Sequence, residues 1–239
     1  MTETHVVCGL GEVGSALVEV LGKRFKVIGL DPAKGKNKPP KICDFLHIAF
    51  PPSKRFKAEA DAYIGNLDPS VVIVHSSVAV GTTRSLYGGD AVHSPIEGLH
   101  PHLAGSMLTF RKHFGGEKAD DAAKPFLALG CRVKTHNRPE TTELAKLLST
   151  SRYGLALLVA QEQAAICREA GVSYMDAVMG YQQTYNEGYA ALDHHNVIQP
   201  VLHPPQTAIS GHCILPNAKL LPGSTRTPLH GLLAKNDVQ

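Results

Sequence analysis

Hydrophobic positions follow two regimes along this chain. Before about residue 138, short apolar runs alternate with polar or helix-spaced stretches, and beyond it apolar residues recur at helical spacing. Val6-Val7-Cys8 runs directly into Gly9-Leu10-Gly11-Glu12-Val13-Gly14, helical spacing follows from Glu12 to Leu21, and Lys26-Val27-Ile28-Gly29-Leu30-Asp31 is a second apolar run ending in an acid. That order predicts strand, glycine turn, helix, strand. Further strands are expected over 45–50, 71–75 and 91–93, separated by polar or helix-like stretches. Such alternation belongs to a parallel sheet covered by helices. The pairs Pro51-Pro52 and Gly88-Gly89 punctuate strand ends, where these sheets carry ligand loops.

After about residue 138, Pro139 suits a first helical position. Leu144, Leu147, Leu148, Ser151, Leu155, Leu158, Val159 and Ile166 then keep helical spacing until Gly171 supplies a stop. A helix of about thirty residues needs burial on more than its own sheet, so it is expected at the centre of a homodimer. A second helix is predicted over 174–192, and the proline-rich remainder from Pro200 reads as irregular wrapping. The predicted domains are therefore 1–137, a dinucleotide-binding sheet domain, and 138–239, a smaller all-helical unit for dimerisation and substrate with an irregular C-terminal tail.

Composition narrows the function classes. With 239 residues and 43% hydrophobic content, the chain suits one sizeable core plus a smaller unit of a soluble globular protein. The net charge of +3 is small, and the tight cluster Lys34, Lys36, Lys38 and Lys41 reads as a solvated loop, so no nucleic-acid partner is expected. Five cysteines, odd in number and without C-x-x-C spacing, imply reduced thiols in a cytoplasm-like compartment. The first apolar run begins almost at the terminus, leaving no room for a signal peptide. The longest run, over 155–160, is too short for a bilayer, so a soluble cytoplasmic protein without membrane contact is expected.

The candidate chemistry begins at the glycines. Gly9 permits the tight turn, Gly11 lets a pyrophosphate approach the backbone at a helix N-terminus, and Gly14 lets helix and strand pack closely. Asp31, seventeen residues after Gly14, suits the adenosine ribose hydroxyls and repels a 2′-phosphate, which favours NAD. Lys34 and Lys36 just beyond it keep NADP as the alternative. Glu12 and Val13 between the glycines, with Pro51 and Ser76 at strand ends, complete the expected cofactor-binding set. The fold class is thus α/β, a Rossmann-type doubly wound parallel sheet followed by the helical unit with its long central helix.

On that helix Lys146, Thr150 and Tyr153 fall at i, i+4 and i+7 beside Ser149. Two readings stay open, a cation that polarises an alcohol or carbonyl oxygen and a solvated helix face. Cys213, presented on Ser210-Gly211-His212-Cys213, is open to two readings as well, a small buried hydrophobe and a nucleophile. His93, His100 and His102 are expected in one loop after the fifth strand, with Glu97, His100 and His102 facing the cofactor's reactive end. His194, His195, His203 and His212 crowd the C-terminal part. Neither set has metal-ligand spacing, so no metal is predicted.

The order of motifs resembles the UDP-glucose/GDP-mannose dehydrogenase family of the 6-phosphogluconate dehydrogenase-like superfamily. The resemblance is carried by residues 7–14 and 27–31, by Val72-Ile73-Val74-His75-Ser76-Ser77-Val78-Ala79-Val80-Gly81-Thr82-Thr83, by Glu143-Leu144-Ala145-Lys146-Leu147 and by Ser210-Gly211-His212-Cys213-Ile214. It implies a four-electron oxidation in which an alcohol gives hydride to NAD, the aldehyde is captured by Cys213 as a thiohemiacetal, and a second hydride leaves a thioester for hydrolysis. By the same resemblance Lys146 stabilises the substrate oxyanion, and Thr150, Asn217 and Ser77 occupy positions of the catalytic motifs.

There are departures as well. Thr150 stands where the family has an asparagine, Asn217 where it has a water-activating aspartate, Ser77 where it has a threonine and His75 where it has an arginine. The family's segment after the fifth strand survives as Ser94-Pro95-Ile96-Glu97-Gly98, and the sequence does not reach its nucleotide-sugar-binding domain. A small-molecule substrate is expected, a nucleotide-sugar among the candidates. Two alternatives remain: a two-electron hydroxy-acid dehydrogenase of the 6-phosphogluconate/β-hydroxyacid type, and a non-catalytic NAD-binding protein.

Overall fold

A computed structural model of the chain describes residues 3–36, 38–98, 101–207, 209 and 213–223. Seven strands form one sheet in the order β2-β1-β3-β4-β5-β6-β7. They are β1 (Thr4–Cys8), β2 (Lys26–Leu30), β3 (Phe45–Ile48), β4 (Val71–Val74), β5 (Val92–His93), β6 (Lys112–Gly115) and β7 (Val133–His136). All neighbours pair parallel except β5 and β6, which are antiparallel.

The strands form because period-2 positions feed two cores at once. Val7 and Ile73 face one cluster with Leu17, Leu21, Phe114 and Phe126, while Val6, Leu46, Ile48, Val72 and Val74 face another with Phe56, Ala60 and Leu86. The covering helices are α1 (Glu12–Leu21), α2 (Phe56–Leu67), α3 (Leu103–Thr109) and α4 (Ala119–Ala128). Each fully buried leucine or phenylalanine contributes about 1.5–3 kcal/mol by leaving water.

Strands β6 and β7 were not expected from the sequence. Their sequences, Lys-His-Phe-Gly and Val-Lys-Thr-His, carry too few apolar residues to read as strands; pairing at the sheet margin and burial of Phe114 hold them in place.

Helix α5 (Pro139–Glu169) runs for 31 residues. Its end coincides with the predicted stop, because Gly171 turns into the left-handed region at φ +68°. The predicted stripe is unevenly covered: Leu147 and Ser151 are fully buried, whereas Leu148, Val159 and Ile166 are 40%, 46% and 62% exposed. The predicted second helix opens with a wider π-helical stretch, Met175–Gly180, before α6 (Tyr181–Ala191).

The expectation of a wholly irregular tail needs correction. Ile214–Lys219 forms a short helix, α7, whose Ile214 and Ala218 pack with Ile209 against Leu155, Leu157 and Leu158 of α5. Six residues cannot sustain a helix alone, so this burial supplies what local propensity lacks.

The chain divides into two compact units, 1–147 and 148–239, with the division falling inside α5. Among the described residues no helix is long and apolar enough to cross a membrane.

Candidate functional site

The turn after β1 has the geometry its glycines were read for. Gly9 adopts φ +89°, and a Cβ there would lie 2.8 Å from the Phe50 nitrogen. A Cβ on Gly14 would sit 1.7 Å from the Gly9 carbonyl oxygen, so α1 can approach the turn only because that atom is missing. Gly11 precedes α1 as its N-cap, and a Cβ on it would meet nothing within 4 Å. The space before the first-turn amides of α1 is thus open, as a pyrophosphate requires.

That space belongs to a cavity of about 730 Å³. Gly9, Gly11, Glu12, Val13, Asp31 and Pro51 line it, so six of the predicted cofactor residues meet on one surface. Gly14 packs behind the turn. Ser76 serves as a strut, its hydroxyl donating to the Phe50 carbonyl at 2.6 Å and so joining the ends of β3 and β4. The cavity lies where the chain reverses direction across the sheet, β1 leading to β2 on one side and β3 lying on the other. Open α/β sheets place ligands at this point.

Asp31 holds the cavity wall together. Its carboxylate accepts from the Leu10 amide at 2.9 Å and from the Ala33 amide at 3.1 Å. The Lys34 ammonium folds inward and donates to the Leu10 carbonyl. Glu59 and Tyr63 of α2 line the same cavity, and no sequence motif marked them.

The first two turns of α5 anchor the loops after β4 and β5. Lys146 is half-buried and donates to the Ile96 carbonyl at 2.8 Å. Glu143, buried, accepts from the Gly81 amide at 2.6 Å and the Thr83 amide at 2.8 Å, clamping the loop that carries half-buried Ser77. The sequence marked Glu143 only as part of a motif. Its position three residues before Lys146 was the usable signal, since i and i+3 share a helix face.

His93 does not lie in a loop. It is the second residue of β5 and fully buried. Its Nε2 faces the Ser76 carbonyl at 3.2 Å, which can only accept, so Nε2 carries the proton and Nδ1 accepts from the Thr142 hydroxyl at 2.9 Å. Burial, the largest cause, pushes its pKa down to about 3, and it is neutral. His102 is exposed and precedes α3, Glu97 is exposed, and His100 lies outside the described residues.

In the second unit, Asn217 of α7 is buried and its amide donates to the Thr150 hydroxyl at 3.2 Å. Two departures from the resembled family thus bond to one another. Tyr153 is 52% exposed, and Cys213 is an exposed free thiol at the start of α7. Ser210, Gly211 and His212 lie outside the described residues. Lys146 belongs to the first unit and Cys213 to the second.

Among the described residues no group of three or more histidine, cysteine or acidic side chains is placed to hold a metal ion. Sequence reasoning missed His5, His47 and Lys112, all buried in the sheet. A polar residue at a core-facing strand position was the available signal for each.

No protein-family model matches the sequence, and no curated protein does. Solved structures are similar. A UDP-D-ManNAc dehydrogenase from Pyrococcus horikoshii aligns over 98% of this chain and 68% of its own, with a TM-score of 0.78 and 17% identity. The UDP-N-acetyl-mannosamine dehydrogenase of Staphylococcus aureus aligns over 98% and 68%, with a TM-score of 0.66 and 18% identity. A 3-hydroxyisobutyrate dehydrogenase from Mycobacterium tuberculosis aligns over 86% and 78%, at 0.62 and 16%. At such identities the likeness is one of fold, and it places the chain in the Rossmann-like dehydrogenase fold that these proteins share.

Proposed function

We propose that this chain is an NAD-dependent dehydrogenase acting on a CH–OH group of a small molecule, with nucleotide-sugars as the first substrate class to test. One observation carries the reading: the glycine turn, the α1 N-terminus and Asp31 converge on a single cavity. The fit to a dinucleotide is supported by the opposite environments of Gly11 and Gly14, the one facing open space and the other allowing no side-chain atom. Gly9, Gly11, Glu12, Val13 and Pro51 would hold the pyrophosphate and adjoining ribose, and bound NAD supplies a hydride acceptor. Asp31 on the cavity wall favours NAD, while Lys34 lining the same cavity keeps NADP as the alternative.

In this reading Lys146 would present its ammonium to the substrate oxygen and stabilise the negative charge that develops there as the hydroxyl proton is lost to water, before the hydride departs. Cys213 would add to the resulting aldehyde, its thiol proton passing to the carbonyl oxygen as the carbon–sulfur bond forms; a second NAD would accept the second hydride, leaving a thioester that water cleaves to the acid and the free thiol. Domain limits of 1–137 and 138–239 and a homodimer about α5 belong to the same proposal, the latter supported by the exposure of Leu148, Val159 and Ile166.

A second reading, a two-electron hydroxy-acid dehydrogenase, is favoured by one observation. Asn217 has no base to offer water, and its amide is engaged by Thr150. The test is a panel of nucleotide-sugars and short hydroxy acids with NAD, scored for NADH formed per substrate. Two NADH per substrate, falling to one with release of aldehyde in Cys213→Ala, supports the four-electron route. One NADH per substrate, indifferent to Cys213→Ala, selects the second reading. Failure to bind NAD at all sinks both.

A further inference from the structure

The backbone leading to Cys213 is fastened by side chains at several points. Asn186 of α6 pairs with Gln199 through both of its amide atoms, donating to the carbonyl at 2.7 Å and accepting from the N–H at 3.0 Å. Tyr174 donates to the Leu202 carbonyl at 2.9 Å. Further on, Gln161 of α5 turns its side-chain nitrogen to two carbonyls together, Pro205 at 3.1 Å and Thr207 at 2.8 Å. All of these groups lie in the unit 148–239.

The two carbonyls fix which end of the Gln161 amide faces them. Neither has a proton to give, so the NH2 group must point at them, and each of its hydrogens serves one carbonyl. Beyond this clamp Ile209 is buried with Ile214 and Ala218 against Leu155, Leu157 and Leu158, and Asn217 donates to Thr150 at 3.2 Å. Contacts therefore step back along α5 from Gln161 to Thr150, with an apolar seat between two polar clamps. Cys213, exposed at the start of α7, falls in sequence between those clamps.

Chain length by itself does not set where the thiol stands. Thr150 and Gln161 are about 16 Å apart along α5 at about 1.5 Å per residue. The stretch from Thr207 to Cys213 reaches about 20 Å when extended, before the first turn of α7 is added. That slack has to be removed by side chains. With the Gln161 clamp open, Pro205 and Thr207 lose its two bonds, and the hold at Ile209 is apolar contact, which has no direction.

We infer that Gln161 is a positioning residue for the Cys213 thiol: together with the Asn217–Thr150 bond it fixes the register of Pro205 and Asn217 along α5, and hence the place of the sulfur between them. The assignment rests on the reading of Cys213 as the thiol that captures an aldehyde. On that reading a displaced sulfur lets the aldehyde escape, and the reaction stops after one hydride.

Gln161→Glu tests this in the full chain, because shape and helix propensity are kept while the two donated hydrogens give way to a carboxylate facing two carbonyls. Cys213 is exposed and the other four cysteines are buried, so a nitroxide methanethiosulfonate label is directed to Cys213, as its failure to attach to Cys213→Ala checks. The expected result is a narrower, faster-moving label spectrum in Gln161→Glu, and the same in the uncharged Gln161→Met. In turnover with NAD the unaltered, unlabelled protein is expected to give two NADH per substrate. Both variants are expected to give one, with aldehyde released, the second oxidation slowing about a hundredfold as a misplaced group does. A spectrum already narrow in the unaltered protein, or one unmoved in either variant, overturns the assignment. So does narrowing with both NADH retained, which marks the clamp as structural only. If the unaltered protein forms no second NADH from any substrate, the four-electron oxidation fails by itself, and the label spectra alone decide whether Gln161 places the thiol.

Discussion

Acidification to about pH 5.5 perturbs the four buried histidines of the sheet together. His5, His47, His75 and His93 are all held below their ordinary pKa of 6.5, chiefly by burial, His5 at about 4 and His93 at about 3. The unfolded chain protonates each ring near 6.5 and the folded chain does not, so unfolding takes up protons and stability falls as pH falls below 6.5. Stability from these groups is fully present above that pH and disappears progressively toward the folded pKa values. One pH unit below the unfolded pKa each neutral ring costs about 1 kcal/mol, so the four together cost a few kcal/mol. That is a large fraction of the entire stability of many domains. Lys112, depressed to about 7 from 10.5, makes most of its contribution above pH 7 and the small remainder just below it, and Glu140, held at about 2 by its bonds to Arg84, acts only in stronger acid. Urea unfolding at about pH 7.5 and about pH 5.5, with the slope checked for constancy, measures the loss. A loss under about 1.5 kcal/mol, or uptake of fewer than about two protons on unfolding, would refute the claim that these rings are buried and neutral.

Three further outcomes are expected. Gly14→Ala must move α1 away from the turn, because the new methyl would start 1.7 Å from the Gly9 oxygen and such carbons do not approach within 3.0 Å. A displacement of this size is expected to weaken NAD binding by about a hundredfold in titration calorimetry, and unchanged affinity would show that the turn does not hold the cofactor. Glu143→Ala strands the Gly81 and Thr83 amides beside a buried hole and is expected to cost about 3 kcal/mol in denaturant unfolding; a loss below about 0.5 kcal/mol would mean that water replaces the carboxylate. Asn217→Ala removes the bond to Thr150 and should cost about 1 kcal/mol, read as a fall of about 2–4 °C in Tm. An unchanged Tm would remove Thr150 as its working partner.

The glycine turn, its helix and the acid closing β2 could be read from sequence because each depends on residues near in the chain. Gly9 is required by its positive φ and Gly14 by the Gly9 carbonyl in the same turn, and Asp31 ends the strand that follows. Helix α5 was legible for the same reason, its 3.6-residue period and its Gly171 stop being local. Contacts between distant residues left no such trace. Strands β6 and β7 are too polar to announce themselves and exist through pairing at the sheet margin. Helix α7 depends on an apolar seat on α5. His93 was misread as a loop residue because a buried imidazole and a solvated one are the same letter, and only its partners Ser76 and Thr142 decide between them. The row of His5, His47 and His75 is the extreme case. Its members are 42 and 28 residues apart in sequence, and only the lateral stacking of β1, β3 and β4 converts three isolated polar positions into a connected file of nitrogens.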